Sequence, residues 1–328
     1  MQQGNPTSLR VPDPGVADLL AQDARWQAWL DVEAALAKAE AELQMITGPA
    51  AEEIVRKCDL SLFDRARLTE GFQRTGHSLV PLIWELSRLC DGDAGNYVHW
   101  GATTQNITQT GDLLQLRKVH RVFLRQIGAI LAALADLAER SKDMALPGRT
   151  HGQHAVPATY GLKAAVWIDE FARNVERLEQ SEPRVFQAML GGAAGTVASF
   201  GDRGLEVQAR MAAHLEMPPM AVPARNIMDH LAEHIMALAL LAASCGKFAN
   251  EIYTGMKQEF GEVEEPFTAG TVGSSTMPQK RNPFISQDIM AYTAQIRTMV
   301  PLALEAVMTE HEANRQTSLM MRQAQNQV

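Results

Sequence analysis

The clearest helical pattern in the chain is LAEHIMALALLAASCGKFANEIYTGM, at residues 231–256. Its apolar and small residues alternate at spacings of four and three: Leu231, Ile235, Leu238, Ala242, Cys245, Ala249, Ile252 and Met256. This spacing places all of them on one face of a helix of about seven turns. Small residues on that face let neighbouring helices approach, so the stretch predicts a very long helix packed side by side with others.

Three further apolar stripes extend this prediction. The stripe in residues 112–140, whose helix extends roughly 40 Å at 1.5 Å per residue, consists of Leu113, Leu116, Phe123, Ile127, Ile130, Leu134 and Leu137. The next consists of Ala164, Ile168, Phe171, Val175 and Leu178. A shorter one, in residues 24–45, consists of Trp29, Val32, Leu36, Ala39 and Leu43. Together the stripes predict an all-α fold, an elongated bundle of long helices.

The change in helix length divides the chain into predicted domains. Residues 1–110 are predicted to form a smaller N-terminal helical domain, and residues 111–310 to form the central long-helix bundle. Because an elongated bundle exposes much side surface, its burial is expected to be completed by other subunits.

The composition limits the classes of partner. With 46% hydrophobic, 21% charged and only 6% aromatic residues, the 328-residue chain has the profile of a soluble, helical, globular protein. Its net charge of -8 argues against a nucleic-acid partner. No segment approaches the roughly 18 apolar residues that span a bilayer, so no membrane partner is expected. The widely spaced cysteines predict neither disulfides nor a zinc site, which favours the reducing cytoplasm.

The segment GSSTMPQKRNP, at residues 273–283, has the composition of a binding site. Its Gly and Pro residues prevent a continuous helix, so hydroxyl, amide and cationic side chains are displayed on an irregular loop. Free backbone N–H groups in such a turn, together with Lys280 and Arg281, suit a carboxylate. The alternative is an ordinary surface loop, since the same residue types are common in turns.

Three segments resemble the site-forming regions of the fumarase/aspartase superfamily. They are GSSTMPQKRNP, VHWGATTQNITQTGD at 98–112 and GRTHGQHAVPATYGLK at 148–163. The superfamily includes adenylosuccinate lyase, argininosuccinate lyase, aspartase, class II fumarase and 3-carboxy-cis,cis-muconate cycloisomerase. GGAAGTVASFGDRGL at 191–205 is most similar to the cycloisomerase branch, whereas TGHSLVP at 75–81 is similar to the adenylosuccinate lyase branch. The resemblance extends from about residue 15 to about residue 312.

The resemblance implies a fumarase/aspartase-like, tetramer-forming core. Four copies are expected to associate through the long helices, with each active site assembled from segments of three chains. Members of the superfamily usually continue into another helical domain. Residues 311–328 are therefore expected to be the start of a truncated or missing C-terminal domain.

The resemblance also implies a reaction without a cofactor. This reaction is the reversible anti elimination of a succinyl-type substrate by C–N or C–O cleavage, with release of fumarate or a substituted fumarate. Deprotonation next to a carboxylate creates an aci-carboxylate dianion, so donors and cations must surround it. Ser274 matches the superfamily's catalytic serine, the general base. His151 matches the histidine that serves as general acid or orients that acid. His154 lies three residues after His151 and could share a helical face with it, as a metal pair would, but no third ligand follows, so no metal is expected.

The remaining site residues are expected to bind a small dicarboxylate. Those that match substrate-binding or neighbouring positions are His77, Thr103, Thr104, Gln105, Thr150, Ser275, Lys280 and Asn282. Each has a local alternative, since Ser274 can cap a turn, His77 can cap a helix, and Lys280 and Asn282 can order the loop.

Some departures from the superfamily's pattern keep alternatives open. Asn106 and Gln109 stand where relatives commonly have acids, and Arg225-Asn226 stands where Arg-Asp is common. The Arg-Tyr phosphate-binding signature of purine-cleaving members is also not evident near the N-terminus. The runner-up activity is therefore a cycloisomerase that forms a lactone, and a further alternative is an inert structural oligomer.

Overall fold

Long helices dominate the structure, a computed structural model that describes residues 11–267 and 270–328. Its helices are α1 Val16–Leu19, α2 Gln22–Glu42, α3 Gly48–Lys57, α4 Arg65–Thr75, α5 Val80–Leu89, α6 Thr104–Arg140, α7 Tyr160–Val185, α8 Gly204–His214, α9 Asp229–Gly255, α10 Phe284–Val307 and α11 Arg315–Gln327. Short 3-10 turns cover Leu60–Leu62, Ala94–Tyr97 and Ala198–Arg203. The strands are β1 Ala145–Thr150 and β2 Gln153–Thr159.

The N-terminal part is organised around α2, which packs against α3, α6 and α8. All five residues of the predicted stripe on α2, Trp29 to Leu43, are buried. Short polar residues begin the neighbouring helices, because Thr47 accepts the Ala50 N–H ahead of α3 and Asp64 accepts N–H groups ahead of α4. The predicted helix and the burial of its stripe are confirmed, and burial extends beyond the stripe to Leu30, Glu33 and Ala37.

The bundle consists of α6, α7, α9 and α10, of 37, 26, 27 and 24 residues. Helix α7 packs against α6 and α9, and α9 packs against α10. The stripe residues Ile127, Leu134, Phe171 and Leu178 lie in one shared hydrophobic cluster with Leu238 of α9. The predicted all-α bundle is confirmed. Helix α6 runs continuously through residue 110, and the domain boundaries stay predictions.

An antiparallel hairpin, β1 and β2, interrupts the helical pattern. Residues 151 and 152 form its two-residue turn with φ of 52° and 74°, positive at both positions as a type I′ turn requires. His151 and His154 are therefore not on a helix, which corrects the idea that they share a helical face. Gly148 is needed for close strand approach, because a Cβ there would lie 2.9 Å from the Val156 carbonyl oxygen.

Helix α9 corrects the expectation about apolar segments. By length and composition it is apolar enough to cross a membrane, and it is the one such helix in the described part of the chain. A central bundle helix meets the same criterion, and α9 packs between α7 and α10. Contacts with α7 and α10 account for part of its apolar character, since 28% of its most apolar 18-residue window is buried within one chain.

Candidate active site

A cleft of about 590 Å³ lies where the start of α6, the entry to α9 and one face of α11 meet. Four predicted site residues line it: His77, Thr103, Thr104 and Gln105. Helix α6 begins at Thr104, eight residues before the predicted stripe, so the GATTQN segment turns directly into the helix. Asn106 Oδ1 accepts the Thr103 N–H at 3.0 Å and fixes this first turn.

His77 combines the two roles that the sequence left open. Its Nδ1 accepts hydrogen bonds from the N–H groups of Leu79 and Val80, at 3.2 and 3.1 Å, where α5 begins. An accepting nitrogen carries no proton, so Nε2 holds the proton of the neutral ring. Nε2 lies 3.4 Å from Thr104 Oγ1 and belongs to the wall of the cleft. The helix start thus sets the tautomer that His77 presents to the cleft.

Gln105 positions an arginine. Its Oε1 accepts a hydrogen bond from Arg225 Nε at 3.1 Å, and its Nε2 donates to the Arg225 carbonyl oxygen at 2.9 Å. Arg225 Nη1 donates to the Ala193 carbonyl oxygen at 2.8 Å. The carboxamide predicted to bind substrate therefore orients a cation that also lines the cleft. In the sequence, Arg225 drew notice only as the neighbour of Asn226, the residue that departs from the superfamily pattern.

Helix α11 supplies cations that the sequence analysis missed. Arg315 and Arg322 line the cleft, together with Ser318 and Gln325. Burial, followed by the charge of Arg25, lowers the pKa of Arg322, so a bound anion would compensate an unfavourable environment for that guanidinium. These residues follow the region of resemblance, which ends near residue 312, and no spacing in the sequence marked them.

The 273–283 loop is closed at its neck by two residues. Asn282 Nδ2 donates to the Gly273 carbonyl oxygen at 2.8 Å. A Cβ at Gly273 would lie 2.3 Å from the Lys280 carbonyl oxygen, so only glycine fits where the two arms of the loop meet. The amide predicted to bind substrate therefore also orders the loop.

Ser274 lies inside that loop, half-buried, whereas Ser275 and Lys280 are exposed. Its Oγ accepts hydrogen bonds from the N–H groups of Thr276 and Met277, at 3.3 and 3.2 Å. The predicted turn-capping alternative is thus present in the structure. The same two donors point at the oxygen that would carry negative charge in an alkoxide, and hydrogen bonds to a charged form stabilise it.

Thr150 and His151 occupy the exposed end of the hairpin and do not line the cleft. One chain therefore presents its candidate residues in three separate groups: the cleft, the hairpin tip and the loop. The structure brings together His77, Thr103, Thr104 and Gln105, and it separately brings together Ser274, Ser275, Lys280 and Asn282. The meeting of the three groups between subunits stays a prediction.

Known proteins are similar to this chain over most of its length. The sequence profile of a family described as Lyase matches residues 10–297. N-acetyl-S-(2-succino)cysteine lyase of Enterococcus italicus is 40% identical over 88% of this chain and 64% of its own length. Adenylosuccinate lyase of Methanothermobacter thermautotrophicus is also 40% identical, over 94% of this chain and 69% of its own length. This chain thus spans about two thirds of each relative.

The fold of this chain is also similar to that of a solved enzyme structure. The 3-carboxy-cis,cis-muconate lactonizing enzyme from Pseudomonas putida superposes with a TM-score of 0.87 at 31% identity. The match covers 95% of this chain and 70% of that enzyme. Together, the profile match, the relatives and the shared fold show that the chain belongs to the lyase family of the fumarase/aspartase superfamily.

Proposed function

We propose that this chain catalyses reversible anti elimination from a succinyl-type substrate, with release of fumarate or a substituted fumarate. The observation that carries the proposal is the loop around Ser274, where two backbone N–H groups already point at the hydroxyl oxygen. Both similar lyases carry succino or succinate compounds in their names, which supports a succinyl group as the part of the substrate that this chain recognises.

In this reaction Ser274 removes a proton from the carbon next to a carboxylate. The electron pair of that C–H bond forms the C=C bond of fumarate, and the adjacent C–N, C–O or C–S bond breaks with its electron pair on the leaving atom. His151, as general acid, returns a proton to that atom. Lys280 places an ammonium group beside the carboxylate that gathers charge in the dianion.

The cleft residues then bind the substrate. Thr103 and Thr104 offer hydroxyl donors, and His77 offers the Nε2 proton that its cap at α5 enforces. Gln105 orients Arg225 in the cleft by accepting its Nε–H. Thr150 precedes His151 and contributes a hydroxyl group beside it. Asn282 keeps the loop around Ser274 in order, and Ser275 is the exposed neighbour of Ser274, with its hydroxyl 3.5 Å from that of Thr276. No cofactor takes part in these steps.

We propose that the chain acts as a homotetramer in the cytoplasm. The separation of the hairpin tip and the loop from the cleft supports sites completed by other copies. Large apolar side chains stay exposed on the hairpin and the start of α7, among them Val156 and Leu162, at 65% and 59% exposure. The free cysteines Cys58, Cys90 and Cys245 are compatible with a reducing compartment.

A panel of substrates tests the proposal. Purified protein is incubated separately with N-acetyl-S-(2-succino)cysteine, adenylosuccinate and 3-carboxy-cis,cis-muconate, and products are identified by proton NMR. Release of fumarate from a succinyl compound is the expected result. The similarity to a lactonizing enzyme favours a second candidate, a cycloisomerase, which would instead convert the muconate to a lactone and release no fumarate.

A further inference from the structure

Residues Glu262-Val263-Glu264-Glu265, here called the acidic bracket (262–265), contact the hairpin, the 273–283 loop and the start of α10. The segment follows the end of α9, and each of its glutamates contacts a different part of the chain. We propose that the acidic bracket is a positioning element, which fixes the hairpin carrying His151 and the loop carrying Ser274 against the bundle. The expected effect of the acidic bracket on catalysis rests on the proposed function. Its role in holding the hairpin and the loop rests on geometry alone.

Glu262 holds the hairpin. Its Oε1 lies 2.6 Å from Arg149 Nη2, and both side chains are about one-fifth exposed. The Arg149 guanidinium carbon also lies 5.0 Å from the centre of the Phe260 ring, so the arginine is enclosed by residues on both sides of Gly261. Removal of one partner from a partly desolvated ion pair is costly, because it leaves the other charge uncompensated.

An irregularity in the hairpin backbone helps to orient Arg149 towards Glu262. The register of the hairpin shifts between Gly148 and Arg149, two residues before His151. Such a bulge changes the direction of the side chains that follow it. Lys163, in the first turn of α7, reinforces the contact, with its Nζ 3.9 Å from Glu262 Oε2 and 2.5 Å from Glu251 Oε1. The turn end of the hairpin is therefore tied to the segment that follows α9.

Glu264 holds the loop. It forms an ion pair with Arg281, whose guanidinium carbon lies 5.2 Å from the centre of the Phe267 ring. Arg281 stands between Lys280 and Asn282, so its position sets that of two proposed substrate-binding residues. Both members of the pair are about half exposed, and exposed pairs contribute at most about 1 kcal/mol. This contact orients the loop yet leaves it able to move.

Glu265 fixes the far end of the loop. Its Oε1 accepts hydrogen bonds from Ser286 N–H at 2.8 Å and from Ser286 Oγ–H at 2.6 Å, and its Oε2 accepts one from Ile285 N–H at 3.2 Å. These N–H groups belong to the first turn of α10, where Pro283 provides no side-chain acceptor. A carboxylate at a helix N-terminus is favoured by both hydrogen bonding and the helix dipole. The loop therefore leaves and rejoins the bundle at one point.

None of the three glutamates lines the cleft, so their proposed effect on catalysis passes through His151 and Ser274. A displacement of about 1 Å of a catalytic group costs on the order of 100-fold in rate. Removal of a bracket charge should therefore lower kcat by roughly 10- to 100-fold and change KM little, because the substrate-binding cleft is untouched.

Hydrogen–deuterium exchange of the full chain tests the structural half without any substrate. Glu262→Gln is expected to speed exchange in residues 145–159, and Glu264→Gln in residues 270–283, by several-fold at an unchanged melting temperature. Glu259→Gln is the matched control. Glu259 lies exposed between α9 and the acidic bracket and forms no ion pair with the described residues. If Glu262→Gln does not fold, Arg149→Lys, which keeps the charge and loses the planar guanidinium, is measured instead.

Kinetics with a fumarate-releasing compound test the catalytic half. The double substitution Glu262→Arg with Arg149→Glu is expected to recover at least part of the kcat that Glu262→Gln loses. Exchange in Glu262→Gln and Glu264→Gln equal to that of the unchanged protein overturns the inference, whatever the activity. If no tested compound is converted, the proposed function fails, while faster local exchange would still support the bracket.

Discussion

The rings of His120 and His234 lie 5.6 Å apart, buried between α6 and α9 in the interior of the bundle. Burial lowers the pKa of His234 to about 3, and burial likewise lowers the pKa of His120, against the opposing charge of Glu182 at 3.1 Å. Both rings are therefore neutral in the folded protein at neutral pH. The unfolded chain takes up protons at these positions below about pH 6.5.

This pair predicts a loss of stability in mild acid. A depressed histidine pKa in the folded state contributes stability above the unfolded pKa, and that contribution falls as pH decreases from about 6.5 towards 3. The slope is at most about 1.4 kcal/mol per pH unit for each histidine. Urea unfolding at pH 7.5, 6.5, 5.5 and 4.5 measures it, and His234→Phe should reduce the slope. An unchanged slope in that variant would contradict the assignment.

Glu40 predicts the opposite dependence. Burial, followed by the charge of Glu33, raises the pKa of Glu40 to about 8, and neither carboxyl oxygen has a hydrogen-bond partner among the described residues. The folded state keeps this proton while the unfolded state releases it above about pH 4.5, so stability from this group is lost as pH rises from about 4.5 to 8. Glu40→Gln should therefore stabilise the protein more at pH 8 than at pH 5. Equal effects at both pH values would refute the prediction.

The neck of the loop predicts a specific effect at Gly273. A methyl group there meets the Lys280 carbonyl oxygen at 2.3 Å, so Gly273→Ala must separate the two arms of the loop. We expect activity to fall by roughly 100-fold, because Ser274 is the next residue. Gly128→Ala on α6 is the control, since its Cβ would meet no described residue within 4 Å. This substitution should stabilise the helix by about 0.5–1 kcal/mol. Full activity in Gly273→Ala would show that the neck is not needed.

The two functions of His77 are separable by substitution. Asn places an acceptor oxygen near the position of histidine Nδ1 and has nothing at the position of Nε2. His77→Asn should therefore keep the start of α5 and the melting temperature, while kcat/KM falls by roughly tenfold or more. His77→Ala should lose the cap as well, at about 1 kcal/mol of stability. Wild-type kinetics in His77→Asn would remove His77 from the site.

The helical fold was predictable from the sequence because its signal is periodic. Burial of Leu231, Ile235 and Leu238 follows from their spacing on one helical face. The hairpin was not predictable from the sequence, since residues 145–159 contain Gly and Pro but no strict alternation of apolar and polar residues. Its turn also depends on a positive φ at His151. The start of α6 at Thr104 was also missed, because the polar residues of that turn carry no apolar stripe.

The identities of the site residues were more predictable from the sequence than their positions relative to one another. A resemblance identifies Ser274 and His151 by position, but the sequence gives no distance between a hairpin tip and a loop that lie on different elements. Arg315 and Arg322 enter the cleft through the packing of α11, which depends on long-range contacts. Gln105 illustrates the same limit, since its bond to Arg225 spans 120 positions of the chain.

The most direct test of the account compares Ser274→Ala with Ser275→Ala on the succinyl compound that the unchanged protein converts. Ser275 is exposed and contacts Thr276, so its substitution controls for the loss of a hydroxyl from the loop. We expect Ser274→Ala to release fumarate at least about 1,000-fold more slowly, with Ser275→Ala within roughly tenfold of the unchanged protein. Fumarate release by Ser274→Ala at the rate of the unchanged protein would contradict the central claim.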